Sequence, residues 1–297
     1  MAAGYPIGDH PGEGRLPQFS EIPLLGYPER PVLFTHELHL DERLTREAVA
    51  GLADRVPPVE IVYEKGTKPL LVPSEGAPRG VVDRPGDIIR DLEVADAWIG
   101  IMDAEIDPAI ADLTFSTIDQ LQPAIMATQG KVRNRGAFFF IGSPNSTTPA
   151  HFDIEFNFLF HCWGTKTISF GNFGSDFIRR SEINRYWSGS HGRVEILPTA
   201  EYSFEISPGH GVYIPPFMPH WVVNGSNPSM SLTLSFHTAA STRNRRVEDF
   251  NALVRKLNFN PYEPGRSAIV DRAKVGALGI WALGRRIRGA PRALGAK

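Results

Sequence analysis

The stretch that decides the fold is Thr148-Pro149-Ala150-His151-Phe152-Asp153 with its continuation to Lys166. After the proline, polar and apolar residues alternate, and the polar positions are His151, Asp153, Glu155 and Asn157. Side chains along a strand point alternately to its two faces, so the pattern predicts one strand over 151–163 with a polar and an apolar face. The polar face would present an imidazole beside a carboxylate. These are two of the three ligands of the 2-His-1-carboxylate set, which holds Fe(II) and leaves coordination positions open.

The third ligand is expected on a later strand, and His220 is the best candidate. It follows Ile214-Pro215-Pro216 and Pro219, so prolines and a tight turn place one histidine at the start of a strand. Two neutral imidazoles and one carboxylate suit Fe(II). Three protein ligands also leave positions free, as a catalytic metal requires.

Lys166 is the fourth element of this constellation. It lies in an otherwise apolar strand between Gly164 and Ile168, where a lysine is costly to bury unless an anion meets it. A dicarboxylate cosubstrate would supply that anion, with one end on the metal and the far carboxylate on the ammonium group. The hydroxyl of Thr148, just ahead of the metal-binding strand, would accompany this pairing.

From Ala137 onward the sequence consists of short strand-like segments separated by turn residues. This texture predicts a mainly β fold with a double-stranded β-helix (jelly-roll, cupin-like) core and with N-terminal and C-terminal helices. The Asn224-Gly225 pair predicts a hairpin between strands at 220–223 and 229–238. Upstream, helices are predicted at 41–56 and, with a break near Pro108, at 88–112.

Three regions are expected: a flexible lead-in at 1–23, a cupin-like domain at 24–240 with its motif core at 138–238, and a helical extension at 241–297. The extension carries apolar residues at helical spacing, first Val247, Phe250, Val254 and Leu257 and then Val270, Ala273, Ala277 and Trp281. Exposed apolar stripes usually mark interfaces, and twofold dimers are the commonest oligomers, so a homodimer through these helices is expected. The alternative is that both helices fold back onto the helix at 41–56.

The composition excludes several functional classes. A net charge of -2 over 297 residues argues against a bulk nucleic-acid binder. The single cysteine, Cys162, excludes an internal disulfide and a cysteine-based zinc finger. No apolar run suits a signal peptide or a membrane span, so a cytoplasmic protein is expected.

These motifs resemble the core of the JmjC-type Fe(II)/2-oxoglutarate oxygenases, and most of all the cupin-like protein hydroxylases that include asparaginyl hydroxylases. The likeness spans roughly 138–238 and rests on 148–153, Asn157, Gly164, Lys166 and the segment from Pro208-Gly209 through Ile214-Pro215-Pro216 to His220. His210 departs from the family pattern, which has an aspartate at that turn position.

The resemblance implies a role for each matching position. His151, Asp153 and His220 would hold iron, and Lys166 and Thr148 would bind the distal carboxylate of 2-oxoglutarate. Asn157 would line the cosubstrate pocket, and Ser235 stands where some relatives have an asparagine near the cosubstrate. Glu155 and His237 fall at positions on the substrate side.

Two functions are therefore considered. The first is a 2-oxoglutarate-dependent dioxygenase that uses O2 to hydroxylate a C–H bond of a protein or peptide side chain or of a small metabolite. N-demethylation proceeds through the same step, and the motif does not separate the two. The alternative is a non-oxygenase, metal-dependent cupin acting as an isomerase or a ligand-binding sensor, because one fold hosts many functions. Lys166 discriminates between them, since a cupin without a dicarboxylate cosubstrate has no reason to bury a lysine there.

Overall fold

The structure is a computed structural model that describes residues 29–72, 82–190 and 192–287. The predicted lead-in at 1–23 and part of the predicted loop at 65–84 lie outside these residues. The chain divides into two compact units between His237 and Thr238, and each is described by itself. The boundary predicted after residue 240 stays a prediction.

The first unit is built on two β-sheets, and each pairing with a described register is antiparallel. The strands are β1 (Val32–Thr35), β2 (Ile61–Lys65), β3 (Ala97–Ile101), β4 (Val132–Gly142), β5 (Thr147–His151), β6 (Phe156–Trp163), β7 (Lys166–Asn172), β8 (Thr199–Ile206), β9 (His210–Ile214), β10 (His220–Asn224) and β11 (Ser229–Thr238). The major sheet has the order β1-β9-β6-β11-β4-β3-β2, and the minor sheet has the order β5-β10-β7-β8. The predicted double-sheet, mainly β core is confirmed.

The helices of the first unit are α1 (Arg46–Arg55), α2 (Pro85–Arg90), α3 (Leu92–Ala95), α4 (Pro108–Gln129) and α5 (Asp176–Arg185). The second unit contains α6 (Ala239–Arg255) and α7 (Ala268–Ile287). Local sequence sets their starts: the Thr45 hydroxyl accepts a hydrogen bond from the Ala48 amide, and Asp107 caps α4 just before Pro108. None of the described helices has the length and the apolar character that a membrane span requires.

The two faces of β6 serve two different cores. Phe156, Phe158 and Phe160 pack with the helical layer, in a cluster that includes Leu52 of α1 and Leu121 of α4. The opposite face carries Leu159, which packs with residues of the minor sheet in a second cluster. The period of two predicted for this stretch is therefore real from residue 156 onward, and it turns Asn157 towards the space between the sheets.

The prediction of one continuous strand over 151–163 is wrong. β5 ends at His151 in the minor sheet, and β6 begins at Phe156 in the major sheet. The chain crosses between the sheets at 152–155, so Asp153 and Glu155 lie in a connection and not on a strand face. Alternation alone cannot show this crossing, because the residue pattern continues through it.

Two further predictions are corrected. The predicted helix at 88–112 contains β3, a fully buried strand between β2 and β4 whose continuous apolar run mimics a helix segment. The hairpin predicted at Asn224-Gly225 does not form: β10 pairs with β5 and β7, whereas β11 pairs with β6. The Gly225 amide instead donates to the Thr165 carbonyl, which joins this turn to the neighbouring one.

Candidate metal centre

The three predicted ligands meet at one edge of the space between the sheets. His151 is the last residue of β5, His220 is the first residue of β10, and the two are register partners. Asp153 comes from the crossing connection, which is fixed by a hydrogen bond from the Phe217 amide to the Asp153 carbonyl at 2.7 Å. The loop before β10 thus holds the loop after β5, and the carboxylate is directed back to both histidines.

The geometry of these side chains suits a shared cation. Nε2 of His151 lies 3.9 Å from Oδ1 of Asp153, and Nε2 of His220 lies 3.7 Å from Oδ2. One ligand atom from each residue lies within 4.8 Å of the other two. Two ligands bound at about 2.1 Å to one ion lie roughly 3–4 Å apart, so the three side chains can hold a metal ion with little movement.

Backbone carbonyls fix both imidazoles in the orientation that a metal needs. Nδ1 of His151 lies 2.8 Å from the Pro149 carbonyl, and Nδ1 of His220 lies 3.0 Å from the Met218 carbonyl. With Nδ1 as the donor, the lone pair of Nε2 faces Asp153 in each case. Burial, with the nearby His220 and Arg193, holds the pKa of His151 well below its ordinary value. The imidazole is therefore neutral, which is the form that ligates.

Asn157 supports the carboxylate. Its Nδ2 donates to Oδ2 of Asp153 at 2.7 Å, and its own Oδ1 is buried without a hydrogen-bond partner among the described residues. Asn157 also lines the cavity described next, and its predicted role beside a cosubstrate stays a prediction. Its contact with Asp153 was not predicted, because it depends on the crossing of the chain between the sheets.

A cavity of about 640 Å³ opens between the sheets, and the metal-ligand cluster and Lys166 both line it. Lys166 is only 5% exposed and forms no ion pair or hydrogen bond with a described residue. Burial lowers the pKa of Lys166 to about 7. Its register partner is Asn224, four residues along β10 from His220, which is about 13 Å at the rise of a strand. The ammonium group and the metal cluster thus lie apart in one cavity.

Thr148 lies on the cavity wall between these two levels. A register shift in the β5–β10 pairing places His151 opposite His220 and Thr148 opposite Val222. Three steps on β5 thereby match two on β10, as in a β-bulge, so Thr148 and His151 share the cavity face despite their odd spacing. The Thr148 hydroxyl accepts from Nε1 of Trp98 at 2.9 Å and keeps its own proton for a ligand.

The remaining predicted residues lie away from the cavity wall. Ser235 is the register partner of Asn157 but is not among the lining residues; Thr233, two residues before it, is. Glu155 and His237 come together, with 3.6 Å between Oε1 and Nε2, and neither lines the cavity. Ser235, Glu155 and His237 are therefore not part of the cavity lining, and the roles that the resemblance implies for them stay predictions.

Sequence reasoning did not find the charged residues of the opposite wall. Glu64 forms an ion pair with Lys68, and its Oε1 lies 3.7 Å from Nη2 of Arg193. All three line the cavity, and so does Ser190. They lie in or beside the segments 65–84 and 171–193, which carry no motif, so only the three-dimensional structure brings them together.

Comparisons with known proteins give a fold-level likeness only. No protein-family model and no curated protein sequence matches the chain. Among solved structures, the chain is similar to the ribosomal oxygenase YcfD from Escherichia coli in complex with cobalt and succinic acid, at 16% identity and a TM-score of 0.49. It is also similar to the same enzyme with cobalt and 2-oxoglutarate, at 13% identity and a TM-score of 0.48. Each match covers 90% of this chain and 66% of the solved one, so the chain spans slightly less than two thirds of the length of those proteins.

Proposed function

We propose that this chain is an Fe(II)- and 2-oxoglutarate-dependent oxygenase of the JmjC-type, cupin-like class. One observation carries the proposal: a single cavity holds a two-histidine, one-carboxylate cluster and, about four strand residues away, a buried lysine with no anionic partner among the described residues. The first feature is a donor set for Fe(II) with open positions. The second calls for a carboxylate from outside the protein.

The residues present fit both groups. Two imidazoles fixed by backbone carbonyls, together with the carboxylate of Asp153, provide the donors that Fe(II) prefers. Lys166 and the free proton of the Thr148 hydroxyl provide donors for the far carboxylate of a dicarboxylate. The distance between Lys166 and the cluster suits a ligand of several carbons that chelates at one end and pairs with the ammonium group at the other.

With Fe(II) and 2-oxoglutarate bound, the centre would use O2 to convert a C–H bond of a substrate to C–OH while 2-oxoglutarate becomes succinate and CO2. The chain itself contributes positioning: His151, Asp153 and His220 hold the ion on one side, and Asn157 fixes the carboxylate. Lys166 orients the cosubstrate, and the apolar walls between the sheets exclude water.

The substrate is proposed more broadly: a side chain of a protein or peptide, or a small metabolite. The finer likeness to asparaginyl hydroxylases rests on the sequence motifs alone, and a cytoplasmic location belongs to the same proposal. The non-oxygenase cupin leaves the uncompensated charge of Lys166 without a purpose, so the oxygenase is preferred.

The test is succinate formation on mixing the protein with Fe(II), ascorbate and 2-oxoglutarate under air. We expect succinate above the level of a His151→Ala control, and a lower rate for Lys166→Ala at limiting 2-oxoglutarate. A rate equal to that of His151→Ala, with and without candidate substrates, would favour the isomerase or sensor. Calorimetry of 2-oxoglutarate binding to the metal-loaded protein would then show whether the dicarboxylate binds at all.

A further inference from the structure

The cavity has a second cationic wall that the proposed iron and 2-oxoglutarate chemistry does not use. The backbone of 66–70 hydrogen-bonds to one part of the free edge of β5, and the backbone of 192–194 hydrogen-bonds to the rest of it. These two segments bring Lys68 and Arg193 into the cavity lining. Two backbone segments thus cover the edge of the minor sheet, and each contributes one positively charged side chain to the cavity.

The Arg193 end of this wall lies on the other side of the metal cluster from Lys166, whereas Lys68 lies over the Trp98 ring, 5.0 Å from its centroid. Arg193 is the bridge partner of His151, which pairs with His220, which pairs with Phe170 of β7. Three strand spacings, about 14 Å, separate the Arg193 position from β7. Lys166 lies four residues further along β7. An anion at Arg193 is therefore distinct from the carboxylate expected at Lys166.

The charge of this wall is only partly neutralised. One carboxylate, Glu64, serves both cations: it pairs closely with Lys68 and lies 3.7 Å from Nη2 of Arg193. Burial lowers the pKa of both Lys68 and Arg193, and Glu64 opposes that effect in each case. Two partly buried cations therefore share one anion, which leaves about one positive charge for a ligand.

Two buried donors at this wall lack partners. Nη1 of Arg193 and the hydroxyl of Ser190 are both buried, and neither forms a hydrogen bond with a described residue. The two residues are neighbours, since the Arg193 amide donates to the Ser190 carbonyl at 3.2 Å. Buried donors without acceptors are costly, so their presence in a cavity lining points to an acceptor supplied by a ligand.

The charge of the whole cavity supports the same conclusion. Apart from largely exposed Lys65, which pairs with Asp96, the charged lining residues are Glu64, Lys68, Asp153, Lys166 and Arg193. These three cations and two carboxylates leave one positive charge. Fe(II) and doubly ionised 2-oxoglutarate cancel each other, so one monoanion would neutralise the filled site.

We infer that Lys68, Ser190 and Arg193 bind the carboxylate of the primary substrate, a small organic acid with an apolar body; this rests on the proposed function and deepens it. The cavity also presents Val62, Trp98 and Phe140, which suit an apolar body. Because Arg193 adjoins His151, an acid held there by its carboxylate presents its carbon chain to the metal cluster. Arginine with a neighbouring hydroxyl is well suited to two-point recognition of a carboxylate.

The test compares an acid with its uncharged amide in a protein that cannot turn over. Protein loaded with Mn(II) and 2-oxoglutarate is titrated calorimetrically with 3-phenylpropanoate and with 3-phenylpropanamide. We expect the acid to bind at least about 10-fold more tightly than the amide, which is what one charge-assisted contact supplies. Arg193→Gln should remove that preference, Arg193→Lys should restore part of it, and Ser190→Ala should reduce it. Lys65→Gln, a cation at the cavity rim paired with Asp96, is the matched control and should keep it.

Equal affinities of acid and amide, or no binding of the acid at millimolar concentration, overturn the inference. It is also overturned if Arg193→Gln weakens 2-oxoglutarate as strongly as Lys166→Met does, because Arg193 would then belong to the cosubstrate pocket. Failure of the proposed function looks different, because 2-oxoglutarate itself then does not bind to the metal-loaded protein. Acetyl-glycyl-phenylalanine and its amide form a second pair, and acid preference confined to this pair would assign the carboxylate to a peptide terminus.

Discussion

The metal cluster and Lys166 occupy one cavity but are prepared for their ligands in opposite ways. At the cluster, backbone carbonyls hydrogen-bond to both histidines and Asn157 hydrogen-bonds to Asp153. The three metal ligands are therefore already oriented by the protein before a metal binds. At Lys166, the ammonium group is buried without an anion among the described residues. The cluster is preorganised, whereas Lys166 carries a desolvation cost that a ligand relieves.

This difference separates two kinds of binding energy. A preorganised donor set gains affinity because little order is lost when the ion binds. A buried uncompensated charge lowers the stability of the free protein and returns that energy on binding, so stability and affinity are linked at Lys166. Substitutions at the two regions should therefore behave differently.

The largest effect is expected at the cluster. Asp153→Ala removes one of three ligands and should weaken binding of Fe(II) or Mn(II) by more than about 100-fold, beyond the loss typical of a supporting residue. Metal titration followed by calorimetry measures it, and circular dichroism checks that the fold persists. Glu155→Ala, which removes a carboxylate two residues away and outside the cluster, is the control. Stoichiometric metal binding by Asp153→Ala would remove Asp153 from the ligand set.

The next prediction separates the affinity for 2-oxoglutarate from the affinity for the metal. Lys166→Met should weaken 2-oxoglutarate by about 30- to 5000-fold, the range expected when one partner of a buried charge pair is truncated, and leave the metal affinity nearly unchanged. Calorimetric titration of the metal-free protein with Mn(II) measures the metal affinity, and titration of the Mn(II)-loaded protein with 2-oxoglutarate measures the cosubstrate affinity. An unchanged affinity for 2-oxoglutarate would mean that another residue binds the far carboxylate.

The same residue predicts a pH dependence of stability. The pKa of Lys166 is 10.5 in the unfolded chain and about 7 in the folded one. Between pH 7 and pH 10.5, the lysine is therefore protonated in the unfolded chain and neutral in the folded chain. The free energy of unfolding of the ligand-free protein should then rise from pH 7 towards pH 10 by a few kcal/mol, and the destabilisation is fully present below pH 7. Denaturant unfolding at several pH values measures this slope. Lys166→Met should abolish the slope, whereas Lys131→Met, at an exposed lysine, should retain it.

A smaller effect tests the support behind the cluster. Asn157→Ala removes the hydrogen bond to Oδ2 of Asp153 and should weaken the metal by about 10- to 100-fold, as is typical of residues that orient a ligand. Ser235→Ala is a matched control, because Ser235 lies opposite Asn157 on β11 without lining the cavity. Metal affinities of the two variants that agree within twofold would contradict the supporting role.

Much of the fold could be predicted from the sequence because the signals were local. Three signals each involve residues that are close in sequence. They are the alternation from Phe156 to Trp163, the prolines before His220 and the apolar stripe at helical spacing after Ser241. The crossing at 152–155 could not be predicted, since it depends on which sheet each half of the stretch joins. The buried strand β3 was missed because a short apolar run without alternation has no period to read.

The candidate site divides in the same way. The residues of the metal cluster and Lys166 stand in recognisable motifs, so their types and spacing alone indicate the chemistry. Lys68 lies far in sequence from Ser190 and Arg193, and the two segments meet only because both bond to the edge of β5. The contact between Glu155 and His237 likewise depends on tertiary placement.

The last prediction concerns the second unit and has the smallest expected effect, because it changes the oligomeric state and leaves ligand binding unchanged. On α7, Ile269 and Ile280 are 78% and 76% exposed, and Ala273 and Ala277 between them are exposed as well. Their spacing of four, four and three residues lines one face of the helix. Such a stripe usually covers a partner, so we expect a homodimer through this face.

Light scattering at micromolar concentration should give twice the mass of the chain, and the double substitution Ile269→Glu with Ile280→Glu should halve it. Arg272→Glu introduces a single glutamate on the same helix about a quarter turn from the stripe, and it should leave the dimer intact. Because the cavity lies within the first unit, the monomeric variant should bind 2-oxoglutarate as the wild type does. The dimer is ruled out if the wild type has the mass of one chain and if the chain truncated after Ser241 is monomeric as well.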